Sequence, residues 1–279
     1  MQAIMRQQLR QIWHKAQRWL AGPKLHGNDI ARALQSFPFD PPKTLLVHSS
    51  LSSLGYVVGG ANTIITVLRD WNLGGTLAMP AHSYCYPDDC GSAPVFDSKK
   101  TSSRVGAITD AFWRQSGVQR SIHPTHSLSS QGPEASALLA GHELCDTPCG
   151  RGTPYERLAL GDTAVLMFGA TLDSYTLFHT AEDAAKVPYL YMQEAVNLRF
   201  VDSEGSPPRV MKMKRQDMGV MRRFRDMVPW FEERGLLHRA GCGLGELLFI
   251  PHAAGAHEQL VQALLSDPWL LVEPSARAH

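Results

Sequence analysis

Between residues 43 and 187 the chain alternates short apolar runs with stretches whose apolar residues fall at helical spacing. Thr44-Leu45-Leu46-Val47-His48, set off by two prolines, reads as a strand buried on both faces, because such a strand needs no polar alternation. In residues 61–71 the apolar positions are 64, 65, 67, 68 and 71, one side of a helix. Residues 75–80 return to strand and stop at Pro80. Residues 84–100, rich in proline and aspartate, read as a long ordered loop over a site. Ser102 or Ser103 is placed to cap a helix holding Val105, Ile108, Ala111, Phe112 and Trp113. Residues 163–169 form another buried strand and 174–186 a helix.

After Pro188 the period changes. Residues 195–202 and 210–214 alternate on either side of a turn at 203–208, which predicts a hairpin. A helix over 217–234, a strand over 246–250 and a helix over 256–265 complete the pattern. The expected fold is α/β, with segments at 1–42 (helical), 43–187 (the core) and 188–279 (an α+β portion packed on the core). Within 1–42, Met5, Leu9, Ile12, Trp13, Ala16, Trp19 and Leu20 share one face of an amphipathic helix, and Arg6, Arg10, Lys15 and Arg18 lie on the other. One helix with four cations is a weak anchor for an anionic membrane surface, so its tryptophans are expected to pack on the domain or on a second subunit of a homo-oligomer. Asn28 or Asp29 is expected to cap a following helix through Leu34.

Composition narrows the function. Hydrophobic residues make up 44% and charged residues 19% of 279, which suits a folded chain with a large core. With 27 Lys+Arg against 26 Asp+Glu, the formal charge of +1 removes the basic excess that nucleic-acid partners demand. No run of 18 apolar residues is present to span a membrane. Five cysteines, an odd number without a signal peptide ahead of them, are expected to be reduced thiols in a cytoplasmic protein.

Candidate chemistry gathers at the ends of expected strands, where open α/β sheets place ligands. His48-Ser49-Ser50-Leu51-Ser52-Ser53 follows the first strand, where hydroxyls and amides either polarise a carbonyl or simply cap the next turn. His123-Pro124-Thr125-His126-Ser127 brackets a proline-fixed turn with two imidazoles, an aimed pair or an ordinary surface loop. His179 and Glu182, three apart on a helix, have the spacing of a carboxylate-oriented general base and equally of a solvated surface pair. Other schemes fail. There is no Gly-x-Ser-x-Gly elbow and no phosphate loop with its lysine, and Gly241-Cys242-Gly243-Leu244-Gly245 precedes a strand where a dinucleotide site needs to follow one. His82, Cys85, Cys90, Cys145 and Cys149 match no usual zinc spacing, and no metal is expected.

Several phrases in chain order resemble the antibiotic N-acetyltransferase family, the acetyl-CoA-dependent aminoglycoside 3-N-acetyltransferases. They are His48-Ser49-Ser50-Leu51, Leu54-Gly55, Gly59-Gly60, Gly75-Thr76-Leu77, Met79-Pro80, Arg104-Val105-Gly106, Arg120-Ser121, His123-Pro124, Gly132, Gly152-Thr153-Pro154, 166–169, and His179 with Ala181-Glu182. The resemblance covers about 43–187, with a weaker echo from 241 to 271. It implies a three-layer α/β/α fold and direct acetyl transfer from acetyl-CoA to an amine, without a covalent enzyme intermediate. By the same resemblance His179 is the candidate base and Glu182 its orienting carboxylate, while His126 and His48 line the same cleft. Ser49, Ser50, Arg104, Val105, Gly106 and Thr153 fall where the family contacts the coenzyme.

Two departures bear on the acceptor, an amino sugar or an aminoglycoside. The net charge is +1, and the loop pairs Asp88, Asp89 and Asp97 with Lys99 and Lys100. Residues 123–127 and the closing Ser266-Asp267-Pro268-Trp269-Leu270-Leu271 look more like relatives acting on amino sugars of surface polysaccharides; Lys99, Lys100 or Arg151 are the cations available to a nucleotide-linked acceptor's diphosphate. Two other classes stay open: a hydrolase using a serine of 49–53 with a histidine base, and an idle relative that only binds the coenzyme.

Overall fold

The computed structural model describes residues 22, 24–40, 42–87 and 94–274. The expected helix over the first twenty residues, and Asp88, Asp89 and Cys90, lie outside them. In chain order the elements are α1 (Gly27–Gln35), β1 (Thr44–Ser49), α2 (Gly60–Trp71), β2 (Thr76–Pro80), β3 (Val95–Asp97), α3 (Ala107–Trp113), β4 (Gln119–Arg120), β5 (Leu128–Gln131) and α4 (Ala135–Leu139). There follow α5 (Pro154–Leu160), β6 (Thr163–Phe168), α6 (Leu177–Ala184), β7 (Tyr191–Val201), β8 (Arg209–Gln216), α7 (Val228–Glu233), β9 (His238–Cys242), β10 (Gly245–Ile250) and α8 (Ala253–Ser266).

Seven strands form the main sheet in the order β4-β5-β2-β1-β6-β10-β9. Its centre, β2-β1-β6, is parallel, and the flanking pairs are antiparallel. Strand alternation splits the apolar side chains into two cores. Leu46, Val165, Met167, Leu248 and Ile250 face α4, α5, α6, α7 and α8. Leu45, Val47, Leu77, Leu166, Phe168 and Phe249 face α1, α2 and α3. The fold is therefore α/β/α in three layers, and the continuous apolar runs in β1 and β6 follow from being covered twice. β1 is flanked by β2 and β6, so the strand order reverses there. The carboxyl ends of β1 and β6 are the crevice where such sheets bind ligands.

A smaller sheet, β3-β7-β8, carries its own core of Cys85, Phe96, Leu198, Phe200, Met211 and Met213. It is the expected hairpin with one addition, since Val95–Asp97 pairs in parallel with β7 inside the stretch read as loop. No helix among the described residues is long and apolar enough to cross a membrane.

Three expectations for local structure are corrected. The helix after Ser103 starts only at Ala107, because the Ser103 amide is taken by Asp110 Oδ1 at 2.9 Å and Gly106 turns the chain at φ 126°. The helix over 217–234 is broken: Asp217 Oδ1 accepts from the Gly219 amide at 2.8 Å in a tight turn, and only Val228–Glu233 is α-helical after a 3-10 turn at Phe224–Met227. Pro229 helps enforce this, since its ring opposes the carbonyl four residues earlier in any continuous helix. Asp29 completes the start of α1 from its third position by accepting the His26 amide at 2.8 Å, and His26 occupies the cap.

Gly169, directly after β6, sits at φ 68°, and a Cβ there falls 2.4 Å from Ser53 Oγ and 2.9 Å from the Ser50 carbonyl. Gly169→Ala is expected to cost about 2 kcal/mol of stability or more. Denaturant unfolding checks this, and an unchanged midpoint contradicts the close approach.

Candidate active site

The turn after β1 is built before it can do chemistry. Ser50 donates its amide to the Phe168 carbonyl at 3.0 Å, which extends the β1–β6 ladder by one step. Ser53 Oγ lies 2.6 Å from the Gly169 carbonyl and 2.8 Å from that of Ser50, so this hydroxyl clamps the two strand ends together. Ser49 is left with a buried Oγ that has no hydrogen-bond partner.

Above these ends lies a cavity of about 490 Å³. Of the residues singled out from sequence, His48, Ser49, Val105, His126 and His179 line it. Ser50, Arg104 and Gly106 neighbour these residues in the chain but are not among the lining. A Cβ on Gly106 would lie 3.4 Å from the Ser49 carbonyl, and Arg104 is exposed with its amide fixed to the His82 carbonyl at 2.7 Å. Thr153 is not brought to the cavity. That side chain is fully buried and caps α5, accepting the Glu156 amide at 3.2 Å and donating to Gly150 O at 2.7 Å. Asp97 bends into its own turn toward the Lys99 amide at 2.8 Å, and Lys100 pairs with Glu204 at 2.7 Å.

His179 and Glu182 meet as one turn of α6 allows: Nδ1 to Oε2 is 2.6 Å. Glu182 has no exposed surface, whereas the His179 side chain keeps 19% of its own. The second oxygen, Oε1, faces Arg222 Nε at 3.7 Å. With Nδ1 committed to the carboxylate, Nε2 is the nitrogen free for proton transfer. His179 also borders a second hollow of about 300 Å³ shared with Asp173, Gln216, Met218 and Arg222. It therefore lines both hollows, as do Asp173, Gln216 and Met218.

The cavity wall also holds buried imidazoles of another character: His48, His82 and His126 line it, and His123 and His142 do not. His82 Nε2 is 2.8 Å from the Tyr155 hydroxyl and its Nδ1 3.1 Å from that of Tyr84. His126 Nδ1 is 2.8 Å from Thr125 Oγ1, and its ring lies 4.5 Å from that of His82. His123 Nδ1 accepts the His126 amide at 2.9 Å, and its ring stacks 4.3 Å from His142. Burial pushes His48, His126 and His142 down to about 3, and His82 and His123 are held well below the usual range by burial first and then by neighbouring imidazoles, His126 and His142 among them. Near neutral pH these rings are uncharged and weakly basic, suited to orient or to donate. Tyr84, at φ 50° and with its hydroxyl pushed up to about 12 by burial, completes this wall.

Sequence reasoning passed over His82 except as a metal ligand, and passed over Tyr84, Tyr86, Tyr175, Arg215 and Gln216, which also line the cavity. His82 and Tyr84 follow the end of β2, and His48 and Ser49 close β1, so the same strand-end rule reaches them. Nothing local marks Arg215. No cluster of three or more His, Cys, Asp or Glu side chains suited to a metal ion exists among the described residues. The Ser–His hydrogen bond found among them is Ser121 Oγ to His142 Nδ1, 2.9 Å, inside the core and remote from the serines at 49–53.

An α/β/α sheet with a carboxylate-backed histidine at its strand ends defines the class, and comparison with known proteins defines the family. Residues 46–262 match the family model described as aminoglycoside 3-N-acetyltransferase. The aminoglycoside N(3)-acetyltransferase VIII of Streptomyces fradiae is 33% identical over 229 residues, 74% of this chain and 72% of that one. The aminoglycoside N(3)-acetyltransferase VII of Streptomyces paromomycinus is 33% identical over 214 residues, 71% of this chain and 69% of that one. The solved structure of AAC-IIIb in a binary complex with CoASH superposes at a TM-score of 0.75 with 25% identity, covering 88% of this chain and 97% of that one. The chain belongs to the aminoglycoside 3-N-acetyltransferase family, a family of N-acetyltransferases.

The buried imidazoles carry a pH signature. Their folded-state values lie below the unfolded value near 6.5, so their contribution is fully present above about 6.5 and is lost as pH falls toward 3. Each costs about 1.4 kcal/mol per pH unit in that window. Urea midpoints are expected to fall steeply between pH 6.5 and 5, with uptake of several protons on unfolding. A flat profile there contradicts the neutral, buried assignment.

Proposed function

We propose that this protein transfers the acetyl group of acetyl-CoA directly to a primary amine of an amino sugar or aminoglycoside, with His179 as general base. The observation that carries the reading is the 2.6 Å Nδ1–Oε2 bond, which ties a half-open imidazole at the cavity wall to a fully buried carboxylate. An acceptor enters as an ammonium and must lose a proton to become a nucleophile. Nε2 of His179 takes it, and Glu182 stabilises the imidazolium so formed and fixes its tautomer. The freed lone pair attacks the thioester carbon. As the carbonyl oxygen becomes an oxyanion it needs donors, and Ser49, whose Oγ has no partner, with the neutral His126, supplies candidates in the same wall. Collapse breaks the C–S bond; the second proton of the attacking nitrogen passes to the departing sulfur, so that a neutral amide and CoASH leave. Val105, Gly106 and Ser50, grouped where the turn after β1 meets the start of α3, are assigned to the pantetheine side, with Arg104 at the rim.

The fully buried Thr153 supports the fold in this reading and takes no part in coenzyme contact. His126 is assigned to donation over proton abstraction, since burial leaves it too weak a base. The solved complex of AAC-IIIb with CoASH supports the choice of coenzyme. A serine hydrolase is the less favoured reading because, among the described residues, no histidine hydrogen-bonds a serine of the 49–53 segment. An idle coenzyme-binding relative is separated from the transferase by turnover alone.

His179→Gln is expected to lower kcat roughly a hundredfold or more, Glu182→Gln less, with coenzyme affinity nearly unchanged in both. Thiol release from acetyl-CoA measures this. If His126→Ala is far more damaging than His179→Gln, the roles are reversed. Acetyl-CoA is also expected to raise the melting temperature by mass action. Calorimetry with no binding at millimolar coenzyme removes the assignment.

A further inference from the structure

The cavity wall contributed by the hairpin is a source of unspent donors. Arg215 and Gln216 end β8 and both line the main cavity. The Arg215 guanidinium lies over the Tyr86 ring at 5.2 Å, and Arg215 Nε and Gln216 Nε2 are buried without a hydrogen-bond partner. The chain then runs on around the second hollow through Met218, Val220, Met221 and Arg222, where Arg222 Nη2 is buried and unpartnered as well. Buried donors left without acceptors are costly, and a ligand oxyanion relieves that cost.

The carboxylates tell the opposite story. Among the described residues, Asp173 is the one carboxylate lining either hollow. Its charge is already met by Arg225, whose Nε and Nη2 lie 2.9 and 2.6 Å from Oδ2 and whose amide lies 3.1 Å from Oδ1. Glu182 sits behind His179 and serves that ring and Arg222. A polycation entering here finds no free counter-charge among these residues. A monoamine bearing an oxyanion finds a guanidinium held ready by an aromatic ring.

We infer that the acceptor of this enzyme is an amino sugar carrying a phosphate, which Arg215 receives while the amine reaches His179, and that polycationic aminoglycosides are poor acceptors. This rests on the acetyl-transfer reading of the same cavity. Arg215 is assigned to the acceptor's side because its neighbour Gln216 lines both hollows and the chain beyond it borders the second. The proposed coenzyme contacts come instead from β1 and the start of α3. The cations expected from sequence, Lys99, Lys100 and Arg151, do not line either hollow, and Lys100 is paired with Glu204.

The test measures kcat/KM by thiol release at fixed acetyl-CoA for glucosamine 1-phosphate, glucosamine 6-phosphate, glucosamine and gentamicin. It uses the full chain and its Arg215→Gln and Arg215→Lys variants, with CoA affinity by calorimetry as a separate arm. One of the phosphorylated sugars is expected to exceed glucosamine and gentamicin at least tenfold. Arg215→Gln is expected to erase most of that ratio through KM and Arg215→Lys to restore part of it, with CoA affinity held within twofold. A preference for gentamicin, or equal values with and without phosphate, overturns the inference. So does an Arg215→Gln variant that loses CoA affinity tenfold and keeps the ratio, which places the guanidinium on the coenzyme's phosphates. CoA binding with no acetylation of any acceptor overturns the transferase reading itself, and this inference with it.

Discussion

A carboxylate with no exposed surface has to be compensated, and the compensation of Glu182 organises the site. One oxygen is 2.6 Å from His179 Nδ1, and the other faces Arg222 across 3.7 Å. Leaving such a charge unpaired costs several kcal/mol, so removing either partner is felt well beyond that contact. The pair fixes the His179 tautomer, and the ring thereby presents Nε2 to the cavity. Arg222 links the same carboxylate to the 217–224 segment by donating to the carbonyls of Asp217 and Val220. The segment that lines the second hollow is thus tied to the proposed base.

The sheet supplies the other half of the arrangement. Parallel pairing of β1 with β6 carries the ends of both strands to one level, and Ser53 ties them at Gly169. α6 follows the end of β6, which is how His179 comes to line the same cavity as Ser49 at the end of β1. The division of labour among histidines follows from depth. His179 keeps contact with solvent and has a carboxylate. The five buried rings have neither a counter-charge of that kind nor water, and stay neutral.

Much of this was legible in the sequence, and the remainder was hidden for identifiable reasons. β1 and β6 are continuous apolar runs because both faces are covered, and α2 and α8 keep a clean period because one side packs on the sheet. β3 was not legible: three residues, one exposed, carry too little pattern. β9 reads His238-Arg239-Ala240-Gly241-Cys242, an edge strand with one buried side chain. The segment 217–234 has helical spacing, but turn chemistry at Asp217 and Gly219 and the ring of Pro229 prevail over it. The spacing of His179 and Glu182 put both on one side of a helix, and the resemblance to the family singled them out as a candidate base and its carboxylate. His82 and Tyr84 lay within reach of the strand-end rule, but their meeting with Arg215 did not, since two segments far apart in the chain come together there only through tertiary packing. Thr153 shows the converse: a motif that resembles a ligand contact is occupied by the cap of α5.

The central claim is that His179 and Glu182 act as one catalytic unit, and a double-mutant cycle on kcat tests it most directly. The account predicts that the variant carrying both His179→Gln and Glu182→Gln is no slower than His179→Gln alone, because a carboxylate with no imidazole to orient has nothing left to contribute. Losses that multiply, with the double variant slower by the full product of the two single effects, would mean that the two residues act independently and contradict it.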